Sequence, residues 1–442
     1  MPGVQPAPDS PYAAMRLGVA LALMTIGNGT MYLVPVVLPS LQAEFGISRA
    51  DASLPYTLQM ICFGLGGMLM GRLADRRGIM VPLLISAASI GVGFVAAAMS
   101  TNILTFSLAH GILLGLFGSS AMFAPLIADT SLWFVKRRGI AVAVCASGNY
   151  LAGTIWPPIT QYFVEAAGWR QTYIGFGVFC AVTLAALALA MRRRPPAFEH
   201  VEQVRKYPAT APDRAVATSA AAAAPPRAVE IAQNRPFGLS PIAAQTLLCI
   251  AGLACCTAMA MPQVHIVAYC GDLGYGTARG AQMLSLMLAT GIVSRLTFGA
   301  ICDRIGGLRT LVLGSALQGI ALLLFLPFDG LTSLFIVSGL FGLFQGGIVP
   351  SYAIIVREHF PAREAGMRVG TIIMFTLFGM ALGGWMSGKI YDMTLSYHAA
   401  FLNGIAWNAV NLTIAITLLR LTRTRGGGFG RGTPRSGAAA GA

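Results

Sequence analysis

The chain predicts an all-α polytopic membrane fold, with twelve transmembrane helices in two pseudo-symmetric six-helix bundles. Three observations carry this expectation. Of its 442 residues, 56% are hydrophobic and only 10% charged, whereas about a quarter are charged in soluble globular proteins. Apolar runs of roughly 20 residues, enough to cross ~30 Å of hydrocarbon as a helix, recur along nearly the whole length. A charged turn, Gly71-Arg72-Leu73-Ala74-Asp75-Arg76-Arg77-Gly78, returns 228 residues later as Gly299-Ala300-Ile301-Cys302-Asp303-Arg304-Ile305-Gly306. A large soluble helical protein would need polar helix faces, and these segments lack them.

Taken in order, residues 1–16 form a short lead without the basic n-region of a cleaved signal. Six spans follow at 17–41, 53–71, 79–99, 103–128, 139–164 and 171–191, making an N-terminal bundle over 17–191. Residues 192–240 are polar, rich in Ala and Pro and poor in large apolar side chains, the composition of a flexible linker. A second six, at 242–269, 278–301, 308–327, 331–356, 367–389 and 397–419, make a C-terminal bundle over 241–419. Residues 420–442 are a Gly/Arg-rich, disordered tail.

The net charge of +14 does not point to nucleic acid, because it gathers on alternate loops, the linker and the tail. By the positive-inside rule both termini and the linker lie in the cytoplasm, and the protein sits in the inner (plasma) membrane of the cell. The eight cysteines lie mostly within apolar runs and show no paired spacing. They read as small buried residues rather than disulfides or metal ligands, and no metal or cofactor is expected.

The repeated turn reads as a gate on the cytoplasmic side. Gly71 and Gly299 let helices approach, while Asp75 and Asp303 can accept charge-assisted hydrogen bonds from arginines or a helix N-terminus. Arg76, Gly78, Arg304 and Gly306 complete the two copies, and Lys136, Arg137 and Arg138 add a basic turn between spans 4 and 5. A generic short loop under the same charge rule is the plainer alternative. Two copies at one offset, each closing the second span of its half, favour the gate. Parallel halves with a site between them are the plan of rocking secondary transporters.

Arg295 is the candidate for chemistry. It lies eight residues before Asp303, or ~12 Å along a helix, which puts it near mid-membrane. A bare guanidinium there costs at least ~2.5–3.5 kcal/mol on insertion scales, so it should face a wet cavity. Its planar fork suits a carboxylate. No Asp or Glu lies centrally in any span, so an anionic substrate is favoured over a permanent protein partner. Arg295 has no counterpart in the first half, where Gly67 holds the matching position. His265, a titratable group in span 7, reads as a proton acceptor, a substrate contact or a packing histidine. His110 in span 4 has a weaker claim of the same kind. Asn28, Tyr32, Asn149, Tyr150 and Tyr352 are further candidates to line the cavity.

The repeated turn resembles the signature of the major facilitator superfamily, and the resemblance covers all twelve spans. Trp133-Phe134-Val135-Lys136-Arg137-Arg138-Gly139-Ile140-Ala141, followed by Gly148, resembles the monocarboxylate transporter signature at the entry to span 5. That resemblance implies that Arg295 is the family's functional arginine. Animal carriers have an aspartate one turn earlier, where this chain has Gly291, so coupling through that acid is not implied. The chain looks more like the bacterial branch beside the oxalate/formate exchangers. Those exchangers are expected to carry a lysine in span 11, but Val369 to Gly388 contains none. One carboxylate is therefore implied.

The expectation is a secondary active transporter of small organic anions, foremost monocarboxylates, working by alternating access. Proton symport, exchange for a counter-anion and uniport stay open, the bilayer is the other partner, no nucleic acid is expected, and a monomer is the expected state. A dicarboxylate/formate-type exchanger, a proton-coupled drug antiporter and a non-transporting sensor stay open. Gly148, Gly153 and Trp156-Pro157-Pro158 depart from the antiporter pattern GxxxGPxxGG. An enzyme is not expected, because the spans carry no nucleophile–base pair or acidic dyad.

Overall fold

The computed structural model describes residues 8–135, 137–193, 236–361 and 364–426. These residues are helical throughout, without strands. Twelve helical spans are long and apolar enough to cross a membrane. The first six run Pro11–Phe45, Arg49–Arg77, Met80–Ala98, Ile103–Trp133, Gly139–Ala167 and Trp169–Ala190. The second six run Pro241–Asp272, Thr277–Ile305, Gly307–Leu324, Leu331–His359, Ala365–Thr394 and Tyr397–Thr422. Residues 1–7 of the lead, 194–235 of the linker and 427–442 of the tail lie outside the described residues.

Several helices begin earlier than hydropathy alone suggests, because a polar residue caps them. The Ser48 hydroxyl accepts from the Asp51 amide at 3.1 Å, and Ser240 accepts from Ala243 at 3.2 Å. Span 4 is less regular than its apolar run implies. It passes from α-helix at Ile103–Leu108 through a wide-turned π segment, Ala109–Gly118, and a 3-10 turn, Ser119–Met122, back to α-helix at Ala124–Trp133. Span 10 breaks in the corresponding place, between Gln345 and Ile348. Gly118 and Gly346 mark the two breaks and stand 228 residues apart, as the charged turns do. At Gly346 a side chain would overlap the Gly291 carbonyl and crowd Ser294, so span 8 meets span 10 backbone to backbone.

Each half has its own apolar core. Leu23, Leu83, Phe94, Phe106 and Tyr173 are among the buried residues of the first, and Leu248, Met287, Phe325, Phe341 and Phe401 of the second. A third cluster joins them. There Met31, Val34, Tyr56, Met60 and Phe63 of spans 1 and 2 pack with Ala260, Val264, Ala268 and Ala381 of spans 7 and 11.

Polar groups brace each half separately. Arg16, 2% exposed, is bonded to Asp129 at 2.6 Å, to the Met191 and Arg193 carbonyls, and lies over the Trp133 ring. This ties the start of span 1 to the ends of spans 4 and 6. In the second half, Glu358 accepts from the Gly307 amide at 3.1 and 3.2 Å and so caps span 9.

Candidate functional site

The seam between the halves is closed at one end and open at the other. At the face away from the chain termini, Arg49 stands at the first turn of span 2. It reaches Asp272, at the end of span 7, at 2.6 Å, donates to Tyr397, and lies 4.4 Å over the Tyr391 ring. The Arg49 and Ala50 amides both donate to the Asp392 carboxylate at 2.8 Å. A carboxylate from span 11 thus caps the positive end of span 2 across the seam. Beside it, Gln161 of span 5 donates to Thr277 of span 8 at 2.7 Å.

Deeper in, spans 5 and 8 touch through Ser285 and the Thr154 carbonyl, through Leu288 at Gly153, and through Tyr150 at Gly291. Beyond Arg295 no described residue lies within 4 Å of where a side chain would project from Gly71 or Gly299, so the seam is open there. Among the described residues Asp75 and Asp303 make no hydrogen bond or ion pair, and both are exposed with Arg76 and Arg304. Gly78 and Gly306 end spans 2 and 8 with left-handed backbone, at φ 84° and 83°, a conformation that glycine adopts without strain. Arg137 is exposed, and Lys136 and the Arg138 side chain lie outside the described residues.

Arg295 sits where the closed part of the seam meets the open part. Its guanidinium lies 4.1 Å over the Tyr150 ring. Its Nη1 donates to the Ala146 carbonyl at 3.4 Å, and its Nε is buried without a partner. No acid touches it. The Tyr32 ring of span 1 lies against Gly153 of span 5, beside Leu288 of span 8, one turn from Asn149 and Tyr150. The Asn149 carbonyl oxygen is also buried without a partner. Four residues singled out in the sequence therefore meet here, contributed by spans 1, 5 and 8. Chemically, the group offers unspent guanidinium N–H donors beside a phenol and a carboxamide, with an aromatic wall.

The other sequence candidates lie elsewhere. His265 is fully buried and its Nε2 donates to the Gly384 carbonyl at 2.8 Å, which joins span 7 to span 11. It stands seven residues, about 10 Å, from the end of span 7 at the closed face, while Arg295 is about 27 Å along span 8 from that face. Tyr352 is buried within the second half and donates to Asn411 at 3.0 Å. Asn28 is buried at the bend of span 1, with both amide atoms unpartnered. His110 faces Gln59, whose amide donates to Thr30 at 2.9 Å.

Sequence reasoning did not single out the Arg49 cluster, although one signal existed. A cation at a helix N-terminus opposes the macrodipole, so Arg49 in the first turn of span 2 calls for an acid nearby. Two further groups near the seam were also missed. Gln263 donates to Gln345 at 3.0 Å, and the Gln345 Nε2 and the Ser294 Oγ are buried without partners.

Two helical bundles meeting at a seam that opens to one face define a membrane carrier. The Major Facilitator Superfamily profile matches residues 19–332 and 283–437, and the chain belongs to that family of transporters. MFS-type transporter opdF of Penicillium oxalicum is 23% identical over 389 residues, covering 85% of this chain and 82% of its own. Monocarboxylate transporter 13 of Rattus norvegicus is 25% identical over 369 residues, covering 83% and 78%. Among solved structures, a peptide transporter POT in complex with sulfate superposes with a TM-score of 0.68 at 13% identity, covering 92% of this chain and 94% of that one. A bacterial homologue of the human lysosomal transporter Spinster gives 0.67 at 13% identity, covering 94% and 98%. The protein is thus a multi-pass membrane transporter and not an enzyme.

Proposed function

We propose that this transporter carries small organic anions, foremost monocarboxylates, and that Arg295 binds the carboxylate. One observation carries the reading. A guanidinium deep in a membrane protein, where the two halves meet, has a buried Nε without a partner and, among the described residues, no acid beside it. Such a cation is costly unless an anion completes it. Relatives named monocarboxylate transporters support the class. Span 11 adds no second cation between Val369 and Gly388, which favours a single carboxylate.

In this reading 17–191 and 241–419 are the rocking units, joined by the linker at 192–240, with the lead 1–16 and the tail 420–442 at their ends. With both termini in the cytoplasm, the conformation described is open to the cytoplasm. The Arg49 cluster closes the outer face, and the repeated turns close the inner face in the alternate state. Tyr32 and Asn149 orient the rest of the substrate.

Uptake into proteoliposomes tests the proposal, with lactate, pyruvate, formate, oxalate and a lipophilic cation as competitors. Arg295→Ala and Arg295→Gln are expected to abolish monocarboxylate uptake while inserting normally. Undiminished uptake by either variant rejects the role of Arg295. Competition by oxalate alone favours a dicarboxylate exchanger, and competition by the cation alone a drug antiporter.

A further inference from the structure

We infer that Tyr150 is a positioning residue for the anion site: seated in a niche left by Gly291, its ring supports the Arg295 guanidinium while Nε is left unpartnered, and the substrate carboxylate takes the free donors. The inference rests on the reading of Arg295 as the anion anchor.

One construction recurs in this chain. Arg16 lies 4.4 Å over Trp133 and 2.6 Å from Asp129. Arg49 lies 4.4 Å over Tyr391 and 2.6 Å from Asp272. Arg170 lies 4.4 Å over Trp169 and 2.6 Å from Glu44. Arg368 lies 4.6 Å over Phe360 and 2.7 Å from Glu364. Each time the guanidinium carbon lies over an aromatic ring and a carboxylate accepts from one of its N–H groups. The chemistry explains why. The five N–H donors lie in the guanidinium plane and its faces carry none, so a ring fixes the plane without using a donor. Arg295 has the ring, at 4.1 Å, but no described acid at its edge.

The ring position in turn depends on a residue of the other half. Tyr150 belongs to span 5, whereas Gly291 and Arg295 stand one turn apart on span 8. A Cβ at 291 would overlap the Tyr150 ring. Only a bare backbone there lets the ring lie against span 8 and beneath the guanidinium one turn on. The anchor is therefore assembled from both halves, with the cation from one and its platform from the other.

The test uses the full-length protein in proteoliposomes, with formate, acetate, lactate and pyruvate as probes. Carboxylate affinity, KM and Vmax of uptake, and peptide-resolved labelling of Arg295 by phenylglyoxal are measured. Tyr150→Phe keeps the ring and is expected to match the wild type. Tyr150→Leu and Gly291→Ala are each expected to weaken binding ~3- to 30-fold, the loss of one partly desolvated cation–π contact, and to speed labelling of Arg295. Alanine favours a helix over glycine, so a loss in Gly291→Ala does not come from a damaged helix. The double variant is expected to be no worse than Tyr150→Leu alone, because the niche has no purpose without the ring.

Wild-type affinity and labelling in Tyr150→Leu would overturn the positioning role, as would additive losses in the double variant. Arg295→Ala separates the two ideas. Lost binding there with Tyr150→Leu unaffected removes only the role of Tyr150, whereas retained binding removes the anchor and the inference with it. If no probe binds the wild-type protein, the monocarboxylate reading fails, and Arg295 labelling in the Tyr150 and Gly291 variants alone decides the positioning role.

Discussion

The two ends of the seam hold their charges in opposite ways. At the closed end, Arg49 is nearly buried and engaged by Asp272, Tyr397, Tyr391 and Gln42, with Asp392 capping the same helix. At the open end, Asp75 and Asp303 are exposed and unbonded among the described residues, although their turns are the clearest repeat in the sequence. The difference teaches that a repeated motif marks a part used in some state, while the interactions present mark the state in hand. A cluster assembled once, from residues hundreds of positions apart, closes the seam here. In the proposed cycle the repeated turns close the other face.

The largest expected effect comes from breaking the closed end. Arg49→Ala removes the ion pair and several charged hydrogen bonds, and should disfavour the closed face by about 2–3 kcal/mol. Spin-label distances between spans 2 and 8 at that face should lengthen, and unchanged distances would mean that apolar packing alone holds the seam. Asp392→Asn keeps the shape but weakens the cap of span 2, with an expected cost of about 1 kcal/mol. The same distance measurement should show a smaller shift in the same direction.

At the open end, Asp75→Asn and Asp303→Asn should change thermal stability by less than about 0.5 kcal/mol, because neither side chain has a partner to lose here. If the repeated turns form the proposed inner gate, both should nonetheless slow transport. A stability loss as large as that of Arg49→Ala would erase the contrast between the two ends.

Much of the architecture was legible because lipid leaves little choice. Long apolar runs must be helices, and the turn repeated at one offset exposed the two halves. Arg295 stood out for the same reason, as a charge within a span. Tyr32, Asn149 and Tyr150 were named as polar groups in spans 1 and 5, and the structure gathers them around Arg295. Tyr352 and His265 looked equivalent in sequence, because a polar residue in a span does not reveal which side of its helix faces the seam. Packing turned Tyr352 toward Asn411 and His265 toward Gly384. The Arg49 cluster was obscured by distance, with partners 223 and 343 residues away and a loop-like neighbourhood of Glu44 and Asp51. The niche at Gly291 was obscured too, since a missing side chain does not name the ring that will occupy its place.

Arg16 carries a consequence for how the protein is made. Its charge is buried against Asp129 and against carbonyls at Met191 and Arg193, all of which leave the ribosome long after it does. Until then the start of span 1 has no partner for a guanidinium and must wait at the water boundary. The first half therefore locks only when its sixth helix is threaded.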